Sequence, residues 1–231
     1  MTISFQTASE TYRPIDLRNV TQSPQWGFLR DELQQAIKVV GEVLPFRTNQ
    51  FVLDHLIDWS KVPDDPIFQL VFPQRGMLAD SDFEVVQTAL GGGSGAPNLA
   101  SEVARIRETL NPHPAGQMTH NVPLLDGRAL PGLQHKYPET VLFFPARGQV
   151  CHSYCTFCFR WPQFVGDRAL RFASISSSTL TRYLIQQPQV SDILITGGDP
   201  MVMQTHHLND CIQPLLSPEL EHIQTIRIGT K

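Results

Sequence analysis

Three short apolar runs, Val141-Leu-Phe-Phe144, Asp192-Ile-Leu-Ile-Thr196 and Thr225-Ile-Arg-Ile228, are separated by stretches with helical spacing, and this alternation constrains the fold more than any other feature. The first intervening helix runs from about Ser178 through Leu180, Tyr183 and Leu184 and stops at Pro188. The second covers Thr205 toward Leu216, with Pro214 forcing an early end because proline lacks the N–H that a helix interior needs. Strand, helix, strand, helix, strand is the pattern of a parallel sheet with crossover helices, so the fold class is α/β.

Upstream the texture is helical. Ser23-Pro24 reads as a cap with proline at the first helical position, followed by Leu29, Leu33, Ile37 and Val40 at helical spacing. A short helix is expected over 51–59. Another starts at Ser81-Asp-Phe-Glu84, a capping-box pattern, with Val85 and Leu90 beyond it and Gly91-Gly-Gly-Ser-Gly95 as its stop. Asn98 caps a fourth, with Leu99, Val103, Ile106 and Leu110 on one face, before a polar stretch bearing Pro and Gly from 111 to 132. The expected division is therefore 1–132, a helical region with a connecting arm, and 133–231, the α/β part.

The chain has 231 residues with 41% hydrophobic content, enough to bury a sizeable core. Its 18 Lys and Arg against 22 Asp and Glu, with no basic run, give no electrostatic footprint for nucleic acid, which favours a small-molecule partner. No apolar stretch approaches the ~20 residues of a membrane span, and residues 1–10 lack a charged-then-apolar leader pattern. A cytoplasmic location without membrane or nucleic-acid partners is expected. Three of the four cysteines crowd into eight residues, an arrangement suited to thiols available for metal in a reducing compartment.

Those three are Cys151-His-Ser-Tyr-Cys155-Thr-Phe-Cys158. Thiolates are soft ligands, and three on one loop can hold three irons of a four-iron cluster while leaving the fourth open. The alternative is a zinc site completed by His152, although such sites usually pair two cysteine knuckles. Gly197-Gly198-Asp199-Pro200 follows the second predicted strand, where glycines allow close approach of backbone to a ligand. Arg160 lies two residues past Cys158, and its planar fork suits a carboxylate. Cys211, with Leu208 and Leu215, reads as core; His206-His207 reads as solvated or capping; Trp26, Trp59 and Trp161 read as packing residues.

The cysteine spacing with Phe157 before the last thiol resembles the cluster loop of the radical S-adenosylmethionine (SAM) enzymes. His135-Lys-Tyr137-Pro-Glu-Thr-Val-Leu-Phe-Phe, Cys158-Phe-Arg160, Thr196-Gly-Gly-Asp-Pro and Ile226-Arg-Ile-Gly-Thr-Lys231 resemble, within that superfamily, lysine 2,3-aminomutase and its relatives. Upstream the likeness thins to fragments such as Asp65-Pro-Ile-Phe-Gln69 and Phe72-Pro73.

The resemblance implies a helical amino-terminal region followed by the first part of a radical SAM-type (β/α) partial TIM barrel. It implies a [4Fe–4S] cluster on Cys151, Cys155 and Cys158, SAM bound by Phe157, Thr196, Gly197, Gly198 and Asp199, and a substrate carboxylate gripped by Arg160. The activity implied is an isomerase that generates a 5′-deoxyadenosyl radical for 1,2-amino migration on an amino acid. Lys136 and Tyr137 match positions that hold the phosphate of pyridoxal phosphate (PLP), but the family's arginine is Lys136 at one position and Thr140 at another, and two residues are inserted before Cys151 in Arg147-Gly-Gln-Val150. PLP use is thus left open, and a PLP-independent enzyme acting on another carboxylate-bearing substrate is the alternative. An electron donor such as a flavodoxin or ferredoxin is implied as a partner, and a homo-oligomer is compatible with the sequence.

From Val141 onward the chain offers about 90 residues, whereas a complete eight-fold barrel takes about 250. The expectation is an amino-terminal fragment holding about half a barrel, incomplete for turnover by itself.

Overall fold

The computed structural model describes residues 12–111, 118–166, 170–174 and 176–231. The stretch 1–10 read for a leader, and part of the connecting arm, lie outside the described residues. Contacts group the chain into two units: Met1–Ile106 with His152–Cys158, and Arg107–Cys151 with Phe159–Lys231.

In the first unit, α1 (Asp31–Val43) buries Ala36, Ile37, Val39, Val40 and Val43, and places Asp31 and Glu32 in its first turn, where carboxylates complement the helix dipole. It does not start at Ser23 as expected. Pro24–Phe28 form a 3-10 turn, and extended backbone at Leu29 and Arg30 separates that turn from α1. The expected helix over 51–59 is instead a single π turn, Val52–Leu56, and a 3-10 turn, Trp59–Lys61, capped by Asp58.

A short helix, α2 (Pro66–Val71), is capped by Asp65, whose Oδ1 accepts the Phe68 N–H at 2.7 Å. Phe68 and Phe72 stack with centroids 4.7 Å apart, and Trp59 packs edge-on to both, in a core shared with Ile37, Phe46 and Leu53. The next helix, α3 (Asp80–Gly91), is preceded by Ala79 with no side-chain cap, so the capping box expected at Ser81 is absent. Its acidic first turn (Asp80, Asp82) supplies the complementary charge, and its buried side chains are Phe83 and Val86; Leu90 is exposed. Asn98 caps α4 (Leu99–Leu110) as expected, accepting the Ser101 N–H at 3.0 Å, and Val103 and Ile106 face inward. Two short strands, β1 (Pro14–Ile15) and β2 (Thr48–Asn49), pair antiparallel.

The second unit opens with a small hairpin, β3 (Leu124–Leu125) and β4 (Arg128–Ala129). Asp126 and Gly127 between them both have positive φ, the combination a two-residue type I′ turn requires. A four-stranded sheet follows in the order β5 (Leu133–Tyr137), β6 (Thr140–Phe143), β7 (Asp192–Ile195), β8 (Thr225–Ile228). The last three run parallel in the predicted positions; β5, unforeseen as a strand, is the antiparallel partner of β6.

Crossovers α5 (Ser177–Ile185) and α6 (Thr205–Ile212) join the parallel strands, and a 3-10 turn containing Pro214 ends α6 early, as expected. Alternation decides what each side chain meets. Val141, Phe143, Ile193 and Ile195 are buried in one core with Leu180, Tyr183 and Leu184 of α5 and Cys211 of α6. Among the described residues, no helix is long and apolar enough to cross a membrane.

Candidate functional site

The cysteine loop is held by backbone bonds to its own unit. The Tyr154 N–H donates to the Arg47 carbonyl at 2.8 Å and the Thr156 N–H to the Leu70 carbonyl at 2.9 Å, while the Thr156 hydroxyl donates to the Gln69 carbonyl at 2.9 Å. Tyr12 donates its hydroxyl to the His152 carbonyl at 3.2 Å and lies edge-on to the His152 ring. Gln69 and Leu70 lie in the last turn of α2, where helix carbonyls have no intrahelical partner. The Asp65-Pro66 start and Phe68/Phe72 packing that form α2 therefore also set the position of the loop. A Cys158 N–H to Cys155 carbonyl bond at 3.1 Å turns the chain between two of the thiols.

Cys151, Cys155 and Cys158 are half-buried. Among the described residues, no group of three His, Cys, Asp or Glu side chains converges as a site for a single metal ion. A mononuclear zinc site needs its ligands gathered at about 2.0–2.3 Å from one point. A four-iron cluster instead takes its thiolates at separate corners.

In the second unit the Gly-Gly-Asp-Pro turn follows β7 and meets the stem that leads into Cys151. The Asp199 N–H is shared between the carbonyls of Gly148 and Val150, at 3.0 and 2.9 Å. A methyl group on Gly198 would stand 2.6 Å from the Val150 nitrogen, so only glycine permits this approach. Asp199 is buried, 1% exposed; its Oδ1 accepts the Met201 N–H at 2.9 Å and the Thr230 hydroxyl at 2.7 Å. That carboxylate is engaged as a turn cap, while Thr196, Gly197 and Gly198 are half-buried. Phe157 is 77% exposed.

Arg160 is buried. Its guanidinium lies 4.1 Å above the Phe144 ring and its Nη2 donates to Gln149 Oε1 at 3.2 Å and Gln163 Oε1 at 2.5 Å. Both of these acceptors are neutral amide oxygens. Gln149 was not singled out from sequence, although the two-residue insertion expected within 147–150 falls in its neighbourhood.

Lys136 and Tyr137 are exposed at the end of β5, with the ammonium 5.3 Å from the Tyr137 ring centroid. Tyr137 pairs with Thr140, the first residue of β6, whereas the cysteine loop follows that strand's other end; the four residues of β6 put about 10 Å between the two ends. Thr140 donates to Asp192 Oδ2 at 2.9 Å, and the same carboxylate pairs with Arg227, whose Nε lies 2.8 Å from Oδ1. His207 contacts Arg147 and lies 3.8 Å from Asp210, where burial and Arg147 hold its pKa below the usual value.

The site thus defines an α/β chain with a supported three-thiol loop entered from a stem that packs against a glycine turn at the ends of parallel strands. Several curated proteins have similar sequences. The chain is 29% identical over 217 residues to "Putative L-lysine 2,3-aminomutase" of Aquifex aeolicus, covering 94% of this chain and 45% of that protein. It is 35% identical over 104 residues to the L-lysine 2,3-aminomutase of Fusobacterium nucleatum and 32% identical over 102 residues to that of Bacillus subtilis; each match covers 44% of this chain and 23% and 21% of those proteins. The chain is similar in sequence to these proteins and spans less than half of their length. No family model matches it.

Proposed function

We propose that this protein is a radical SAM enzyme of the lysine 2,3-aminomutase kind, an isomerase whose parallel sheet is the first part of a partial barrel. The carrying observation is the stem of the cysteine loop, where the Asp199 N–H bonds the Val150 carbonyl one residue before Cys151. Cys151, Cys155 and Cys158 would hold a [4Fe–4S] cluster, with SAM against Thr196, Gly197 and Gly198 and the exposed ring of Phe157. When bound, this pair supplies a 5′-deoxyadenosyl radical able to remove a hydrogen atom from substrate. The chain's own residues do the rest: Arg160 holds a substrate carboxylate, and Asp199 keeps the turn in shape. The substrate is an amino acid, and a flavodoxin- or ferredoxin-like protein is the electron donor.

PLP, with its phosphate at Lys136 and Tyr137, would support amino migration. The Thr140–Asp192 bond favours the second reading, a PLP-independent enzyme on another carboxylate-bearing substrate, because the position that would strengthen the phosphate site is occupied by a hydroxyl already engaged.

The test is anaerobic reconstitution with iron and sulfide. Four irons per chain, a low-temperature paramagnetic signal on reduction, and loss of both in Cys151→Ala, Cys155→Ala or Cys158→Ala support the cluster. Stoichiometric zinc without that signal would establish the zinc-binding module instead.

A further inference from the structure

A cavity of about 580 Å³ opens at the carboxyl end of β6, lined entirely by residues of the second unit, and its volume is that of a small-molecule site. The Ser174 N–H donates to the Phe144 carbonyl and the Ala146 N–H to the Ser174 carbonyl, each at 2.8 Å, which draws the segment after β6 and the segment before α5 together. Each segment contributes an arginine to the cavity, Arg147 from the first and Arg171 from the second.

Arg147 Nη1 donates to the His207 ring, and among the described residues no ion pair involves either arginine. Burial and Arg147 itself hold His207 below its usual pKa, so at neutral pH the ring accepts this bond and adds no charge. Asp210, the carboxylate among the described lining residues, lies 3.8 Å from His207. Two guanidiniums thus stand against one carboxylate. Hydroxyl donors come from Ser176, Ser177 and Ser178 at the start of α5, where Ser176 makes no cap bond and instead meets Ser178 Oγ at 2.7 Å. Pro145, Met203 and Cys211 supply apolar wall.

We propose that this cavity binds a phosphate monoester with an apolar remainder, the phosphate held by Arg147 and Arg171 and the remainder seated on Pro145, Met203 and Cys211. Guanidinium forks match phosphate oxygens bidentately, and a phosphate has enough acceptor oxygens to take donors from both arginines and the serine run together. The first-turn amides of α5 reinforce the preference for an anion without being its main hold. None of the described lining residues is one assigned above to the cluster, SAM, PLP or a substrate carboxylate, so the site stands or falls separately from that reading.

The full chain is titrated calorimetrically with phenyl phosphate, inorganic phosphate and phenol, before and after reconstitution with iron and sulfide. Phenyl phosphate should bind more tightly than inorganic phosphate, phenol should not bind measurably, and the order should be the same in both preparations. Arg147→Gln and Arg171→Gln should each weaken phenyl phosphate about tenfold or more, the loss of one charge-assisted bond. Arg182→Gln removes the same charge from the last turn of α5, where Arg182 pairs with Asp126 at 3.0 Å, and should leave binding unchanged.

No binding of phenyl phosphate to wild type, or equal binding by wild type, Arg147→Gln and Arg171→Gln, overturns the site. A loss in Arg182→Gln as large as that in Arg171→Gln overturns it as well, since net charge alone then accounts for the affinity. Inorganic phosphate binding as tightly as phenyl phosphate overturns the apolar seat. If Arg147→Gln does not fold, Arg171→Gln decides, because Arg171 is exposed and its loss breaks no described ion pair.

Discussion

The Thr156 hydroxyl donates to the Gln69 carbonyl at 2.9 Å, a bond spanning 87 positions of sequence that hangs the centre of the cysteine loop from the end of α2. Thr156→Val keeps the β-branched shape and the amide bond to Leu70 but removes this contact. A net contribution of about 1 kcal/mol is expected, lowering the melting midpoint by about 2–4 °C. Reconstituted Thr156→Val should also retain less iron than wild type after desalting, and Thr156→Ser should restore it. Equal iron retention in all three would show that the loop does not depend on α2.

The four thiols should separate into two classes. Burial pushes the Cys211 thiol up, away from the thiolate form that reacts, whereas Cys151, Cys155 and Cys158 are half-buried. A thiol reagent added to the folded, metal-free chain at neutral pH should therefore titrate three groups rapidly and one only on unfolding. Cluster loading should protect the three and leave the slow one unchanged. Rapid reaction of all four would place Cys211 outside the core.

Gly198→Ala should be costly. The added carbon meets the Val150 nitrogen, carbon and oxygen at 2.6 to 2.7 Å, all backbone atoms, so relief requires moving the stem of the loop rather than rotating a side chain. A loss of about 1–3 kcal/mol is expected by denaturant titration, together with weaker iron retention. Gly27→Ala, with nothing within 4 Å of the added carbon, serves as the control.

At the other end of the sheet, Thr140→Arg places a second guanidinium beside Asp192, which already pairs with Arg227. The new arginine should tighten PLP fully only when Asp192 no longer competes for it. Titrating PLP absorbance should thus show a modest gain for Thr140→Arg and a larger one for Thr140→Arg with Asp192→Asn, the single contact being worth about ten- to hundredfold. Absence of PLP binding in every form would favour the PLP-independent reading.

The parallel strands were legible because their residues alternate or cluster in ways that few other elements allow. Asp192–Ile195 and Thr225–Ile228 lie where the apolar runs put them. The antiparallel β5 was not, since Leu133–Tyr137 carries Gln, His and Lys and shows an irregular register between Gln134 and Tyr137, leaving no clean period of two. Helix starts failed where an extended residue intervenes, as at Leu29 and Arg30, and where Ala79 rather than Ser81 precedes the helix. The cysteines and the glycine turn could be named from their spacing. Their supports could not, because the supporting groups at Arg47, Gln69 and Leu70 are main-chain carbonyls, which every residue possesses and no side chain advertises.

Three thiols within eight residues form a chelating segment even in an unfolded chain, whereas the carbonyls that shape it are assembled only when the amino-terminal helices have packed. Metal met early can bind the unfolded polypeptide and gives little preference for the native state; metal met late binds a loop already shaped and stabilises that state by mass action. On the proposed cluster reading, the timing of iron supply relative to folding becomes a determinant of yield, and co-expression with iron–sulfur assembly machinery and refolding from denaturant should give different products from the same sequence.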